Sequence, residues 1–144
     1  MNIELLQSSW KTVERMGPDA IDYFYAHLFH FNPDLRSMFA EDMTSQRDRL
    51  FAGLGRVIGQ VDSLRSDPSF VAELGRRHCG YGVTAAHYPL VAVSLIATVE
   101  HCFDCYGQVF TTEHRQTWSE ALRTVAQIMV ASAATVSGQV AAAS

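Results

Sequence analysis

Apolar residues recur at three- and four-residue steps along nearly the whole of this chain. That spacing lays them on one face of an α-helix rather than along a strand. Ile3, Leu6, Trp10 and Val13 form the first stripe, and Gly17-Pro18 ends it and opens the next. Ile21, Phe24, Tyr25 and Leu28 follow, stopping before Asn32-Pro33, because the residue ahead of a proline is pushed away from helical backbone. Pro33 starts a short helical turn that delivers Leu35, Met38 and Phe39. A further helix runs from about Thr44 with Leu50, Leu54, Val57 and Val61 along its stripe. Asp67-Pro68, a capping acid and a proline at the first helical position, opens a segment through Phe70 and Leu74 to His78. Thr84 is placed to cap the next helix, whose apolar content includes Leu90, Val93, Ile96 and Val99. Thr112 begins a last long helix through Trp118, Leu122, Val125 and Met129. With no internal repeat and no plausible strand run, the expectation is an all-α domain of about seven to eight helices.

At 144 residues the chain is long enough to bury one substantial core without disulfides, so a single domain over 1–144 is expected. Its core spans about 3–133, with 134–144 a frayed C-terminal tail. A formal charge of -4 gives no electrostatic reason to expect nucleic acid or an anionic membrane as partner. Three cysteines are an odd number, unsuited to a disulfide framework, which favours a cytoplasmic protein. Met1-Asn2-Ile3-Glu4 has neither the basic start nor the apolar run of a signal peptide. The uncharged stretch beyond Arg123 is diluted by Ala, Ser, Thr and Gln, so no membrane span is expected. The same uncharged stretch allows a weak homodimer as well as a monomer.

The chemistry concentrates around Leu74-Gly75-Arg76-Arg77-His78-Cys79-Gly80-Tyr81-Gly82-Val83 and the following His87-Tyr88-Pro89. Phe70, Leu74 and His78 are four residues apart and share a helix face. A histidine on that face, just before a glycine-rich break, reads either as a buried core residue or as a ligand aimed at a cofactor.

Linked local patterns decide between those readings. Phe24-Tyr25 with Leu28-Phe29, Pro33 with Met38-Phe39, Gln46 with Leu50, Arg77-His78, Gly82-Val83, Tyr88-Pro89 and Trp118 occur in that order. So arranged, the chain resembles a globin, specifically the single-domain bacterial haemoglobins and the globin half of flavohaemoglobins, from about Leu5 to Met129. The resemblance implies a globin fold around one haem b, with His78 as the proximal iron ligand. It places Tyr25, Gln46 and Leu50 on the distal side, where phenol and amide donate hydrogen bonds to an iron-bound gas. Phe39 packs against the porphyrin, Val83 and Tyr88 belong to the proximal surroundings, and Arg49 with Arg76 or Arg77 pairs with the propionates. The implied partners are dioxygen and other diatomic gases, reversibly bound, with tight binding and slow release.

Flavohaemoglobins add a proximal glutamate on the last helix, which with a tyrosine strengthens the ligand histidine. Here the tyrosine's counterpart is Tyr88, the glutamate position falls at Ala133, and no acid follows Glu120. His78 is therefore expected to donate its second nitrogen to a backbone carbonyl. Nitric oxide dioxygenation, the enzymatic alternative, would need a separate reductase, since the chain has no room for flavin and nicotinamide domains. Sensing through a partner protein is the third reading.

The remaining histidines compare poorly as ligands. His27 lies on a different face from Tyr25, His30 at a helix end, His87 beside a helix start, and His101 and His114 in surface turns. Cys102 and Cys105 with His101 and His114 suggest zinc only weakly, lacking a second close pair. Tyr106, not histidine, follows Cys105, which excludes the covalent haem-attachment order. Cys79 reads as a packing residue.

Overall fold

Every helical stripe of the sequence folds as a helix. The computed structural model describes residues 1–143, with side chains described through Ala134. Six α-helices run in order: α1 (Ile3–Met16), α2 (Asp19–Phe31), α3 (Thr44–Gly59), α4 (Ser69–Gly80), α5 (His87–Cys105) and α6 (Thr112–Ala143). Two short 3₁₀ segments, Pro33–Met38 and Val61–Ser63, join α2 to α3 and follow α3. No strand occurs among the described residues. The frayed tail expected over 134–144 falls outside the described side chains.

Local signals explain most helix ends. Asn2 caps α1, its Oδ1 accepting from the Leu5 amide at 3.0 Å. Asp42 Oδ1 accepts from the Thr44 amide at 3.0 Å where α3 begins. The start of α4 corrects the expectation by one residue: Pro68 precedes the helix rather than opening it. Asp67 still holds that start, accepting from the hydroxyl of Ser69 at 2.6 Å and its amide at 3.4 Å.

Thr84 does not cap α5. Its own amide instead donates to Nδ1 of His87 at 2.9 Å, so the first helical residue reaches back to the threonine. His114 does the same for Thr111 at 3.0 Å, and Thr111 Oγ1 accepts in return from the His114 amide at 3.2 Å. His114 therefore lies inside α6, not in a turn, and His101 likewise lies within α5.

The core has two parts. The larger joins Leu6, Trp10 and Val13 of α1 to Val57, Val71, Val99, Phe103 and Trp118. Each fully buried aliphatic side chain here contributes roughly 1.5–3 kcal/mol. Its centre is tied by the Trp118 indole N–H, which donates to Ser9 Oγ at 2.8 Å. The smaller part gathers Ile21, Phe24, Tyr25 and Leu28 of α2 with Leu95 of α5. Leu50, Phe51 and Leu54 of α3 edge this second cluster.

α5 buries Ile96 and Val99 of its expected apolar set but not Leu90 and Val93. Leu95, Ile96, Val99 and Phe103 are buried, but Leu90 and Val93 are exposed, Val93 at 64%. This helix is apolar almost all round, and the small polar Ser94 and Thr98 are buried within it, so composition did not mark its inner side. Ser94 is held by His27, Oγ to Nδ1 at 2.8 Å, and Thr98 donates to the Ser94 carbonyl at 2.7 Å.

Candidate functional site

The candidate residues fall in two groups, one on α2, the Pro33–Met38 segment and α3, the other at the end of α4. On α2, the Tyr25 ring is buried, 8% exposed. It stacks on Phe29, centroids 5.8 Å apart and planes 13° apart, and meets Phe39 edge-on at 5.6 Å. Phe29 and Phe39 close the triangle at 5.3 Å. Phe39 is delivered there because Pro33 begins a tight turn of helix that ends one residue before it. Leu35, Met43 and Leu50 pack on the same cluster.

Burial pushes the Tyr25 phenol up to about 12, while the Gln46 side chain and the charge of Arg49 pull in the opposite direction. The phenol is therefore protonated across the physiological range and retains a hydrogen to donate. These two influences place Gln46 and Arg49 of α3 beside Tyr25 of α2, so Tyr25, Gln46, Leu50 and Phe39 are brought together.

The end of α4 holds His78. Its Nδ1 lies 2.6 Å from the carbonyl oxygen of Leu74, one turn earlier. A carbonyl only accepts, so Nδ1 carries a hydrogen and Nε2 is the ring nitrogen left to bind a metal. Gly82, at a φ of +85°, supplies the left-handed turn after the helix that a side chain would resist. The chain then returns, and the Val83 amide donates to the His78 carbonyl at 3.1 Å. That return positions half-buried Val83, and beyond it half-buried Tyr88, beside the same helix end. The Tyr88 phenol is raised by burial and, secondarily, by nearby Cys79.

His78, Phe70 and Leu74 are half-buried rather than fully inward. The residues of α4 that are buried outright are Val71 and Gly75, and the Phe70 ring lies under Arg56 at 3.7 Å. Arg76 and Arg77 are exposed and both pair with Glu73, at 2.8 and 3.6 Å. Arg49 is exposed on α3.

The donor set suits an iron porphyrin. An imidazole oriented by a backbone carbonyl is a suitable iron ligand, and the Tyr25 cluster is aromatic and apolar with one phenol and one amide. The half-exposure of Leu50, Leu54, Leu74, Val83 and Tyr88 leaves apolar surface for a flat ring to cover. Sequence reasoning missed Met43, Val91 and Leu95, which also border the Tyr25 cluster. Val91 and Leu95 are four apart on α5, a signal masked by the equally apolar Leu90 and Val93.

The cysteines do not converge. Cys102 is buried against Met16, sulfurs 3.6 Å apart, and His114 packs on Phe110 and Phe103. No group of three or more metal-ligating side chains occurs among the described residues. Nor is any helix among them long and apolar enough to cross a membrane.

Residues 22–129 match the family model described as Globin. The chain is 25% identical over 134 residues to a flavohemoprotein of Vibrio cholerae, covering 90% of this chain and 33% of that one. It is 24% identical over 131 residues to a flavohemoprotein of Bacillus subtilis, covering 89% and 32%. It thus spans about a third of the length of these relatives. The fold is similar to that of a bacterial globin from Campylobacter jejuni, at a TM-score of 0.79 and 18% identity, over 94% of this chain and 96% of that one.

Proposed function

The chain belongs to the globin family, and on that premise we propose that it binds haem b through His78 and holds dioxygen or another diatomic gas beneath Tyr25 and Gln46. The observation that carries this reading is the 2.6 Å bond from Nδ1 of His78 to the Leu74 carbonyl. It sets the tautomer and leaves Nε2 as the basic nitrogen at the end of a half-buried helix face.

When bound, haem supplies an iron with one position open to small gases. Tyr25 offers a phenol hydrogen that burial keeps in place, and Gln46 an amide hydrogen. A bound gas that draws electron density is stabilised by each donor, by about 1.5–3 kcal/mol in a dry pocket. Phe29, Phe39, Met43 and Leu50 keep that pocket apolar. Together these residues favour tight binding and slow release, in keeping with a reversible gas-binding protein.

The partner of His78 also weighs on the enzymatic alternative. A neutral carbonyl raises the basicity of an imidazole less than a carboxylate does. That disfavours efficient nitric oxide dioxygenation, which in any case requires electrons from a reductase. Arg49 and Arg77 remain our assignments for the propionates, Arg77 by exchanging its bond to Glu73.

The test is the absorption spectrum of haem-loaded protein, reduced without air and then mixed with oxygen. A five-coordinate ferrous spectrum that converts to a long-lived oxygenated one is expected, and His78→Ala is expected to lose both. Unchanged haem uptake and spectra in His78→Ala would remove the central assignment. Repeated nitric oxide consumption with a reductase, rather than one stoichiometric burst, would move the function to the dioxygenase.

A further inference from the structure

The C-terminal half of α5 carries a thiol–imidazole pair that the gas-binding site does not use. Cys105 is exposed, and its Sγ lies 3.5 Å from Nε2 of His101, one helical turn away. The imidazole is not free to swing off: it stacks on Tyr23 of α2, centroids 3.9 Å apart and planes 3° apart. His101 also forms part of the wall of an open cavity of about 410 Å³, together with Tyr23, Glu100, Asp104, Gln108 and Phe110.

The two other cysteines are set apart from this arrangement. Cys102 is fully buried, and burial pushes its thiol up to about 11, with Cys105 adding to the shift. Cys79 is half-buried next to His78.

We propose that Cys105 is a site of mixed-disulfide formation with small disulfides bearing ammonium groups, and that His101 is its general base. The location demands a base. Cys105 is the last residue of α5, so its sulfur lacks the helix N-terminal amides that activate many reactive thiols. In the step, the Cys105 thiol passes its proton to Nε2 of His101 and its sulfur attacks one sulfur of the disulfide. A new S–S bond forms as the old one breaks, and the departing thiolate takes the proton back from the imidazolium.

Asp104 and Glu100 flank the cavity, and Glu100 is paired with Arg115 at 2.7 Å. The same carboxylates attract a cationic disulfide and repel an anionic one.

The experiment exposes the purified full chain to cystamine at neutral pH and follows adducts by mass spectrometry, with the labelled cysteine mapped by proteolysis. Cys105 is expected to react ahead of Cys79 and Cys102, and Cys105→Ser to lose that adduct. An ordinary thiol is only a few per cent thiolate at pH 7, so His101→Gln is expected to slow the reaction by about tenfold and to change its pH profile. Glutathione disulfide, carrying net negative charge, is expected to react more slowly than cystamine, with the gap narrowing in salt. An unchanged rate in His101→Gln, with its melting temperature intact, would make Cys105 an ordinary surface thiol and overturn the proposal. So would earlier labelling of Cys79, and equal rates for the two disulfides would remove the cavity's part in it.

Discussion

Gly75 of α4 lies directly against the backbone of Met129 of α6: a Cβ built at Gly75 would sit 2.5 Å from the Met129 carbonyl oxygen and 2.6 Å from its Cα. The two helices cross where one has no side chain, and α4, with His78 three residues further on, is held at that height above α6. α4 and α6 form the most extensive helix pairing in the molecule.

Gly75→Ala is therefore expected to destabilise the fold by about 2 kcal/mol, despite alanine's better helix propensity, because backbone cannot move aside as a side chain can. Gly59→Ala, with nothing within 4 Å of the added carbon, is the control and is expected to be near neutral or slightly stabilising. Denaturant midpoints compare the two. A neutral Gly75→Ala would mean that the crossing adjusts freely.

The buried indole of Trp118 gives a second stability prediction. Ser9→Ala removes the acceptor at 2.8 Å and leaves that N–H unpaired, at a cost of about 1–3 kcal/mol. Adding Trp118→Phe to Ser9→Ala is expected to cost less than the sum of the two single changes. Strict additivity in that double-mutant cycle would show the bond to be energetically idle.

Alkaline stability follows from Tyr25. Its folded pKa, raised from 10.0 to about 12, means that the unfolded chain gives up this proton first as pH rises. The contribution is fully present below about pH 10 and is lost between pH 10 and 12, at roughly 1.4 kcal/mol per pH unit. Buried Cys102, raised from 9.0 to about 11, acts with the same sign over a window starting about one unit lower. Tyr25→Phe is expected to lose less stability than the natural chain between about pH 10 and 12. Chemical denaturation across that range measures it, and parallel losses in both proteins would contradict it.

Gas release tests the same residue in the loaded protein. If Tyr25 donates about 1.5–3 kcal/mol of hydrogen bonding to bound dioxygen, Tyr25→Phe is expected to release it about ten- to a hundredfold faster. Gln46→Leu is expected to do the same to a smaller extent, because Gln46 is half-buried and shares its side chain with Tyr25. Stopped-flow displacement of oxygen by carbon monoxide gives the rates. Unchanged release in Tyr25→Phe would reduce Tyr25 to a packing residue.

The helices were legible because their signals are local. Gly17-Pro18, Asn32-Pro33 and Thr112 act on the backbone within a few residues, and α1, α2 and α6 begin or end where those residues place them. Tyr25, Phe39, Gln46 and Leu50 were legible as a set through their order along the chain, and the side chains of α2 and α3 do meet. The inner face of α5 was not legible, since Leu90 and Val93 are as apolar as Val91 and Leu95. The histidines His101 and His114 were misread as turn residues, because nothing nearby in sequence announces the rings of Tyr23 and Phe103 that pack on them.

By itself the sequence determined an all-helical chain, the ends of most helices, and which histidine ends a helix face with a glycine turn behind it. Periodicity, proline and glycine restrict backbone angles residue by residue, so these outcomes need no partner from elsewhere in the chain. The tertiary structure alone decided that Gly75 meets Met129, that α5 turns Leu95 inward and Val93 outward, and that Tyr23 holds His101 beside Cys105. Those outcomes depend on which surfaces exclude water together when helices pack, and that is a property of pairs of segments far apart in the chain.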